Sequence, residues 1–212
     1  MTFLAVLRPR SRAELLARGL QVLLLVLIGY GAVVGSWGLV VNGLLAVPVV
    51  LVPDLLEWRY DYHVDSRVSL WITIAAGVHA VGFLGPYSVQ SGLLGWYDRV
   101  AHSISAGFVA GVGYALIVAL DRGSARIEFP EEFRFVFTLC FILAFGVAWE
   151  LVEFAAGGLA TILGMGAALV QYGLDDIVYD LLFNTLAAAV VALLGTHYFR
   201  DLTTIALRSR DS

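Results

Sequence analysis

The sequence predicts an all-α membrane protein, a polytopic bundle of about six transmembrane helices with its N- and C-termini in the cytoplasm. The composition carries this prediction, because 60% of the 212 residues are hydrophobic and only 14% are charged. A soluble domain has about a quarter of its residues charged. The mean hydropathy of +0.86 indicates more apolar surface than a globule of this length can bury, so the surplus must face lipid.

Six apolar stretches are long enough to cross a bilayer, which takes about 20 residues of helix. They comprise residues 20–34, 39–56, 70–87, 97–120, 135–156 and 176–197. Pro48 and Pro53 interrupt the second stretch and predict a kink or an early end there. Residues 157–173 are uncharged and rich in glycine, and we expect them to form a re-entrant or interfacial turn.

The predicted organisation is a single transmembrane domain over residues 19–198. It follows a basic cytoplasmic or interfacial segment, residues 1–18, and precedes a cytoplasmic tail, residues 199–212. Arginine-rich loops are retained in the cytoplasm, and six spans place twelve of the thirteen arginines on one side, with only Arg99 opposite. We therefore expect a multi-pass protein of the plasma membrane whose partners are membrane lipids. The net charge of −4 argues against nucleic-acid binding.

Ionisable side chains recur in the last three predicted spans, although each costs roughly 2.5–3.5 kcal/mol at the centre of a membrane helix. They fall into three sets at helical spacing: Asp98 and His102; Glu150 and Glu153; and Asp176, Asp180 and Asn184. Residues three or four apart share a helix face. Because successive spans alternate in direction, all three sets are expected near the outer boundary of the membrane, where they would form one polar site.

Five carboxylates in a partly dehydrated space cannot all stay ionised against Arg99 and a protonated His102. Either protons are retained, which suits a proton relay, or a divalent cation neutralises the site. Oxygen ligands with one imidazole favour Mg, Mn, Fe or Zn. The residues expected to hold the metal are Asp98, His102, Glu150, Glu153 and Asp180, with Asp176 as a general base and Arg99, Asn184 and His79 as further polar residues of the site.

The succession Tyr-Asp-Arg-x-x-His, Trp-Glu-x-x-Glu and Asp-x-x-x-Asp-x-x-x-Asn, within residues 96–194, resembles the YjdF-type family of small bacterial and archaeal membrane proteins. It is more distantly similar to VanZ-like proteins. The resemblance implies a multi-span fold with a shared polar constellation, and no particular substrate. Glu153 favours the YjdF-type assignment, because the VanZ-like pattern tends to carry an amide at that place.

Three functions fit this pattern. The first is a metal-dependent enzyme that acts on a lipid or lipid-linked head group. The second is a cation- or proton-coupled transporter, for which the nearly uncharged inner halves of the last three spans offer few polar steps. The third is a non-catalytic membrane organiser whose polar residues only fix helix packing.

Two other groups of polar residues have simpler interpretations. His79 stands alone in the third span, and a lone membrane histidine is more often bonded to a backbone carbonyl than to a metal. A second group lies around the second connection, with Arg59 and Arg67 interspersed as counter-charges, and is expected to be a solvated interfacial loop. It comprises Asp54, Glu57, Asp61, His63 and Asp65.

Overall fold

The computed structural model describes residues 7–88, 96–123, 128–163 and 173–198. Six α-helices and one short 3-10 helix account for the regular structure of these ranges, which contain no strand. The α-helices are α1 Arg12–Val34, α2 Trp37–Tyr60, α3 Ser66–Gly82, α4 Tyr97–Arg122, α5 Glu131–Leu163 and α6 Leu174–Tyr198, and the 3-10 helix is Pro86–Ser88. The expected all-helical architecture is confirmed.

Within the described ranges, five helices are long and apolar enough to cross a membrane: α1, α2, α4, α5 and α6. Helix α3 has 17 residues and is therefore about 25 Å long, at the short end of the range for a span. Each predicted stretch overlaps one helix. These observations support a polytopic membrane bundle.

Helix α5 differs most from its predicted bounds. It continues to Leu163, so residues 157–163, which were expected to belong to a turn, are helical. Gly157 and Gly158 do not end the helix, which agrees with the frequent occurrence of glycine within membrane helices. The remainder of the predicted turn, residues 164–172, lies outside the described residues, as do residues 1–6 and the tail 199–212.

Helix α2 runs without interruption from Trp37 to Tyr60 with Pro48 and Pro53 inside it. Of the two expected outcomes, the early end is therefore wrong, whereas the kink stays a prediction. Membrane helices tolerate proline because neighbouring groups and small local adjustments satisfy the backbone carbonyls that it leaves. The helix ends only at Asp61, which adopts the left-handed conformation with φ 53°.

One compact unit contains α1, α2 and α3, the first turn of α4 and the C-terminal end of α5. Helix α1 begins after Ser11, whose Oγ accepts a hydrogen bond from the Glu14 backbone N at 3.1 Å. Gly31 of α1 lies against Leu39 and Val40 of α2, where a Cβ would come within 3.1 Å of both side chains. The absence of a side chain at Gly31 thus lets the two helices pack closely.

The expectation of a solvated loop is wrong for Asp54 and Glu57, which are only 6% and 9% exposed on α2. Arginines from the N-terminal segment neutralise them. The Nη1 and Nη2 atoms of Arg18 donate to the two carboxylate oxygens of Asp54 at 2.6 and 2.5 Å. The Nη2 atom of Arg10 lies 2.7 Å from Glu57 Oε1. These pairs join residues far apart in the chain, so local charge patterning could not reveal them.

The second compact unit contains α4 from His102, α5 up to Val152, and α6. Its helices bury stripes of residues at helical spacing. The stripe on α6 is Asp180, Asn184, Ala188 and Val191, and that on α5 is Thr138, Ile142, Gly146 and Glu150. Each stripe carries carboxylate or amide groups toward one end, Glu150 at the C-terminal end on α5 and Asp180 and Asn184 at the N-terminal end on α6. Polar groups therefore lie inside this unit, while the opposite faces of the helices are apolar and exposed.

An ion pair joins the end of α4 to the start of α5. Asp121 accepts a hydrogen bond from the Phe129 backbone N at 2.6 Å and another from Arg134 Nη2 at 2.5 Å. One carboxylate thus links the end of α4 to the first turn of α5, which sets the relative height of the two helices.

Substitution of Asp54 by asparagine should lower the free energy of unfolding by about 3 kcal/mol or more, because the largely buried Arg18 loses its carboxylate. Denaturation in detergent, followed by tryptophan fluorescence, measures the change. The exposed Asp61 provides the matched control, and Asp61→Asn should change stability by less than about 0.5 kcal/mol. Equal losses in the two variants would contradict a stabilising ion pair.

Candidate functional site

A buried histidine and a buried aspartate meet in the second unit. The Nε2 atom of His102 on α4 lies 3.8 Å from Oδ2 of Asp180 on α6. The two residues are 7% and 1% exposed, respectively. A separation of 3.8 Å is too long for a hydrogen bond, but it places two groups of strong ligand character side by side in a dehydrated space.

The sequence of α6 explains why Asp180 points into the unit. Val178, Leu182 and Leu186 are about half-exposed and form an apolar face suited to lipid. Asp180 and Asn184 lie on the opposite face, and both are buried. If α6 were rotated so that its apolar face became buried, the Asp180 carboxylate would face hydrocarbon, where a charge costs several kcal/mol of free energy.

A close approach between α5 and α6 fixes the height of Glu150. A Cβ on Gly146 would come within 2.9 Å of Leu181 Cδ2 and 3.0 Å of Asn184 Nδ2, so the helices touch there. Successive membrane-spanning helices cross the bilayer in opposite directions. Glu150, one turn after Gly146, and Asp180, one turn before Asn184, therefore lie at the same level. Glu150 is 5% exposed.

Asn184 adds a further acceptor to the α6 stripe. It is 5% exposed, and its Oδ1 atom is fully buried with no hydrogen-bond partner in the described part of the chain. Buried polar atoms are normally satisfied. An amide oxygen in this condition, one turn from Asp180, indicates a place where a cation or a donor group would be favourable.

Asp98 lies one turn before His102 on α4, as its spacing predicts. One of its carboxylate oxygens is within 4.8 Å of a ring nitrogen of His102. Asp98 is half-buried, whereas His102 is buried. Helix α4 therefore offers a carboxylate and an imidazole along one face.

The other predicted ligands and the predicted base lie along the same helical stripes. Glu153 is buried on α5, three residues after Glu150, and Asp176 is half-buried on α6, one turn before Asp180. In the described residues, Glu150, Glu153 and Asp176 are not among the ligand atoms grouped within 4.8 Å of one another. Their expected roles as ligands and base remain predictions.

Two further predicted polar residues have aromatic neighbours. The Arg99 guanidinium carbon lies 5.3 Å from the centre of the Trp96 ring, a cation–π arrangement. In the first unit, the Nδ1 atom of His79 lies 2.7 Å from the hydroxyl of Tyr87. His79 thus has a side-chain partner, where a backbone carbonyl was expected.

Gly146 is the residue of this region that the sequence interpretation missed. The available signal was its position, one turn before Glu150 on the same face of the helix, where a small residue permits close helix packing. Spacing along α5 therefore identifies both the carboxylate and the glycine that positions it.

Comparison with known proteins gives a family match. A family model described as "Predicted membrane protein (DUF2238)" matches residues 15–201, nearly nine-tenths of the chain. No curated protein matches the chain, and no solved structure does.

Substitution of Gly146 by leucine should destabilise the protein by about 1–3 kcal/mol, because the new side chain must displace Leu181 and Asn184. Gly158 lies on the same helix, and a Cβ there would meet nothing within 4 Å, so Gly158→Leu is the matched control. Thermal unfolding of both variants in one detergent measures the difference. Similar melting temperatures would contradict the close approach of α5 and α6.

Proposed function

The chain belongs to the DUF2238 family of predicted membrane proteins, and we propose that it carries a divalent-metal site that acts on a lipid or lipid-linked head group at the plasma membrane. We call the residues of this site, Asp98, His102, Glu150, Glu153 and Asp180, the polar cluster. The observation that carries the proposal is the buried pair of His102 and Asp180 on two helices of one unit. The family description itself states no activity. The reaction is therefore inferred from the chemistry of the side chains.

The distance between the two residues fits a shared ion. Ligand atoms bound to a transition metal at about 2.0–2.2 Å can lie at most about 4.4 Å apart. The 3.8 Å between His102 Nε2 and Asp180 Oδ2 falls within that limit. The buried Oδ1 of Asn184 supplies a neutral oxygen one turn away, as expected beside a cation.

The charge of the cluster also supports a cation. Asp98, His102 and Asp180 each offer a ligand atom within 4.8 Å of the other two, and Glu150 is buried on α5. Buried carboxylates are tolerated only when they are neutralised. A divalent ion would compensate them, and one imidazole among oxygen ligands suits Zn, Mn, Fe or Mg.

In this proposal His102, Asp180, Asp98, Glu150 and Glu153 hold the metal. When bound, the metal would act as a Lewis acid toward a phosphoryl or carbonyl oxygen. Asp176 would accept a proton from the attacking group, because it lies on the same stripe one turn closer to the start of α6 and is only half-buried.

The depth of the site favours an amphiphilic substrate. Asp180 is the seventh residue of α6, about 9 Å along the axis from Leu174. In a spanning helix, this depth lies near the boundary between head groups and acyl chains. A lipid could therefore present its head group to the carboxylates while its tails remain in the bilayer.

The resemblance to YjdF-type proteins is in accord with the family match and extends it to the three polar motifs. The more distant similarity to VanZ-like proteins remains a resemblance. Neither resemblance identifies a substrate, so binding of a metal is the first property to test.

Detergent-purified protein from metal-replete medium should contain about one divalent ion per chain by elemental analysis. His102→Ala and Asp180→Asn should each weaken binding by more than about 100-fold, since loss of outer-shell partners alone costs 10–100-fold. His79→Gln is the control, because His79 is bonded to Tyr87, and it should retain the ion. Metal-free wild-type protein that also fails to bind Zn or Mn on titration would overturn the proposal.

Asp176→Asn should keep the metal and reduce lipid turnover by about 10²–10⁴-fold, the usual contribution of a general base. Mass spectrometry of phospholipids and polyprenyl phosphates incubated with the protein detects the reaction. The adjacent Asp175 is exposed, so Asp175→Asn should leave turnover unchanged. Metal binding without lipid turnover but with ion flux into liposomes would favour a transporter. Binding without either activity would favour a membrane organiser.

A further inference from the structure

The connection between α2 and α3 carries His63, whose ring lies between carboxylates of two helices. Its Nδ1 atom is 2.8 Å from Glu57 Oε2 on α2, and its Nε2 atom is 3.5 Å from Glu14 Oε1 on α1. Glu14 also accepts a hydrogen bond from Ser66 Oγ, at the start of α3, at 2.9 Å. A single histidine therefore stands at the meeting point of three helices.

The charges around His63 are out of balance by one. Arg10 contacts both carboxylates: its Nη2 atom is 2.7 Å from Glu57 Oε1, and its backbone N donates to Glu14 Oε2 at 2.6 Å. We call Arg10, Glu14, Glu57 and His63 the His63 cluster. With a neutral imidazole its formal charge is −1, and protonation of His63 brings that charge to zero.

Other charged groups close to the cluster do not remove this imbalance. The neighbouring pair on α1 and α2, Arg18 with Asp54, is balanced in itself. Asp65, before α3, accepts a hydrogen bond from the Arg67 backbone N at 2.7 Å. Around this connection the two acids Asp61 and Asp65 are matched in number by Arg59 and Arg67. These neighbours leave the charge of the His63 cluster itself unchanged.

Protonation changes what the ring can bind. A neutral imidazole has one N–H group and one lone pair, whereas an imidazolium donates from both nitrogens. With a carboxylate near each nitrogen, only the charged ring presents an N–H group to both, so that it can donate to Glu57 at 2.8 Å and form an ion pair with Glu14 at 3.5 Å. Such bonds are stronger than those between neutral groups, and histidine is the side chain that ordinarily changes charge between pH 5 and 8. The half-exposed ring can exchange protons with solvent.

We propose that His63 is a proton-operated latch that ties the N-terminal end of α1 to the connection between α2 and α3. The contact between His63 and Glu14 is favourable only in the charged form, so the stabilisation is present at acidic pH and is lost as the pH rises. None of the four residues belongs to the metal site, and the latch is independent of the proposed reaction.

A double-mutant cycle at two pH values tests the latch. Melting temperatures of the wild-type protein, His63→Gln, Glu14→Gln and the double variant give the coupling between the two side chains. At pH 5.5 the coupling should be about 1–3 °C, as expected for a partly exposed ion pair. At pH 8 it should fall below the error of the measurement.

Two controls separate the latch from a general effect of pH. The cycle of Glu14→Gln with Ser66→Ala removes a hydrogen bond to the same carboxylate and should give the same coupling at both pH values. His63→Lys keeps a positive charge throughout, so its coupling to Glu14 should persist at pH 8.

Spin labels on the exposed residues Leu16 of α1 and Arg67 of α3, in a Cys140→Ser background, measure the distance between the two helices. The distribution of distances should be narrower at pH 5.5 than at pH 8, and this difference should disappear in His63→Gln. A His63–Glu14 coupling that is equal at both pH values, or distances that do not depend on pH, would overturn the proposal.

Discussion

The structure depends on one constraint: a charged side chain within a membrane helix must be neutralised by another part of the protein. Hydrocarbon offers no water to do so, and an unpaired charge there costs several kcal/mol. The rotation of each helix follows from this requirement. Arg18 faces Asp54 across α1 and α2, and His102 faces Asp180 across α4 and α6.

The two units meet this constraint in different ways. In the first, guanidinium groups from the N-terminal segment meet carboxylates of α2 almost one for one, which gives a stable arrangement without any further ligand. In the second, Asp98 and Asp180 each offer a carboxylate oxygen within 4.8 Å of a His102 ring nitrogen, and Asn184 buries an oxygen that accepts no hydrogen bond in the described residues. Matched charges suit a structural role, whereas excess acceptors suit a site that binds something.

Composition and spacing predicted the helical class, the approximate spans and the alignment of Asp180 with Asn184, because these follow from local periodicity. They did not predict the partner of Asp54, which lies 36 residues away in the chain, nor the contact made by Gly146. Both depend on how helices pack, which one sequence does not specify. The uninterrupted course of α2 through Pro48 and Pro53 likewise reflects tertiary support rather than intrinsic propensity.

The length of α5 has a consequence for its setting in the bilayer. Its 33 residues measure about 50 Å, and even without the charged first turn about 43 Å remain, against a hydrocarbon thickness of about 30 Å. Tilting alone would require an angle of about 46°, beyond the 0–40° found for membrane helices. One end must therefore emerge among the head groups. The exposed Leu159 and Ile162 mark the uncharged end, whose apolar side chains would lie among polar head groups and locally thicken or deform the bilayer around them.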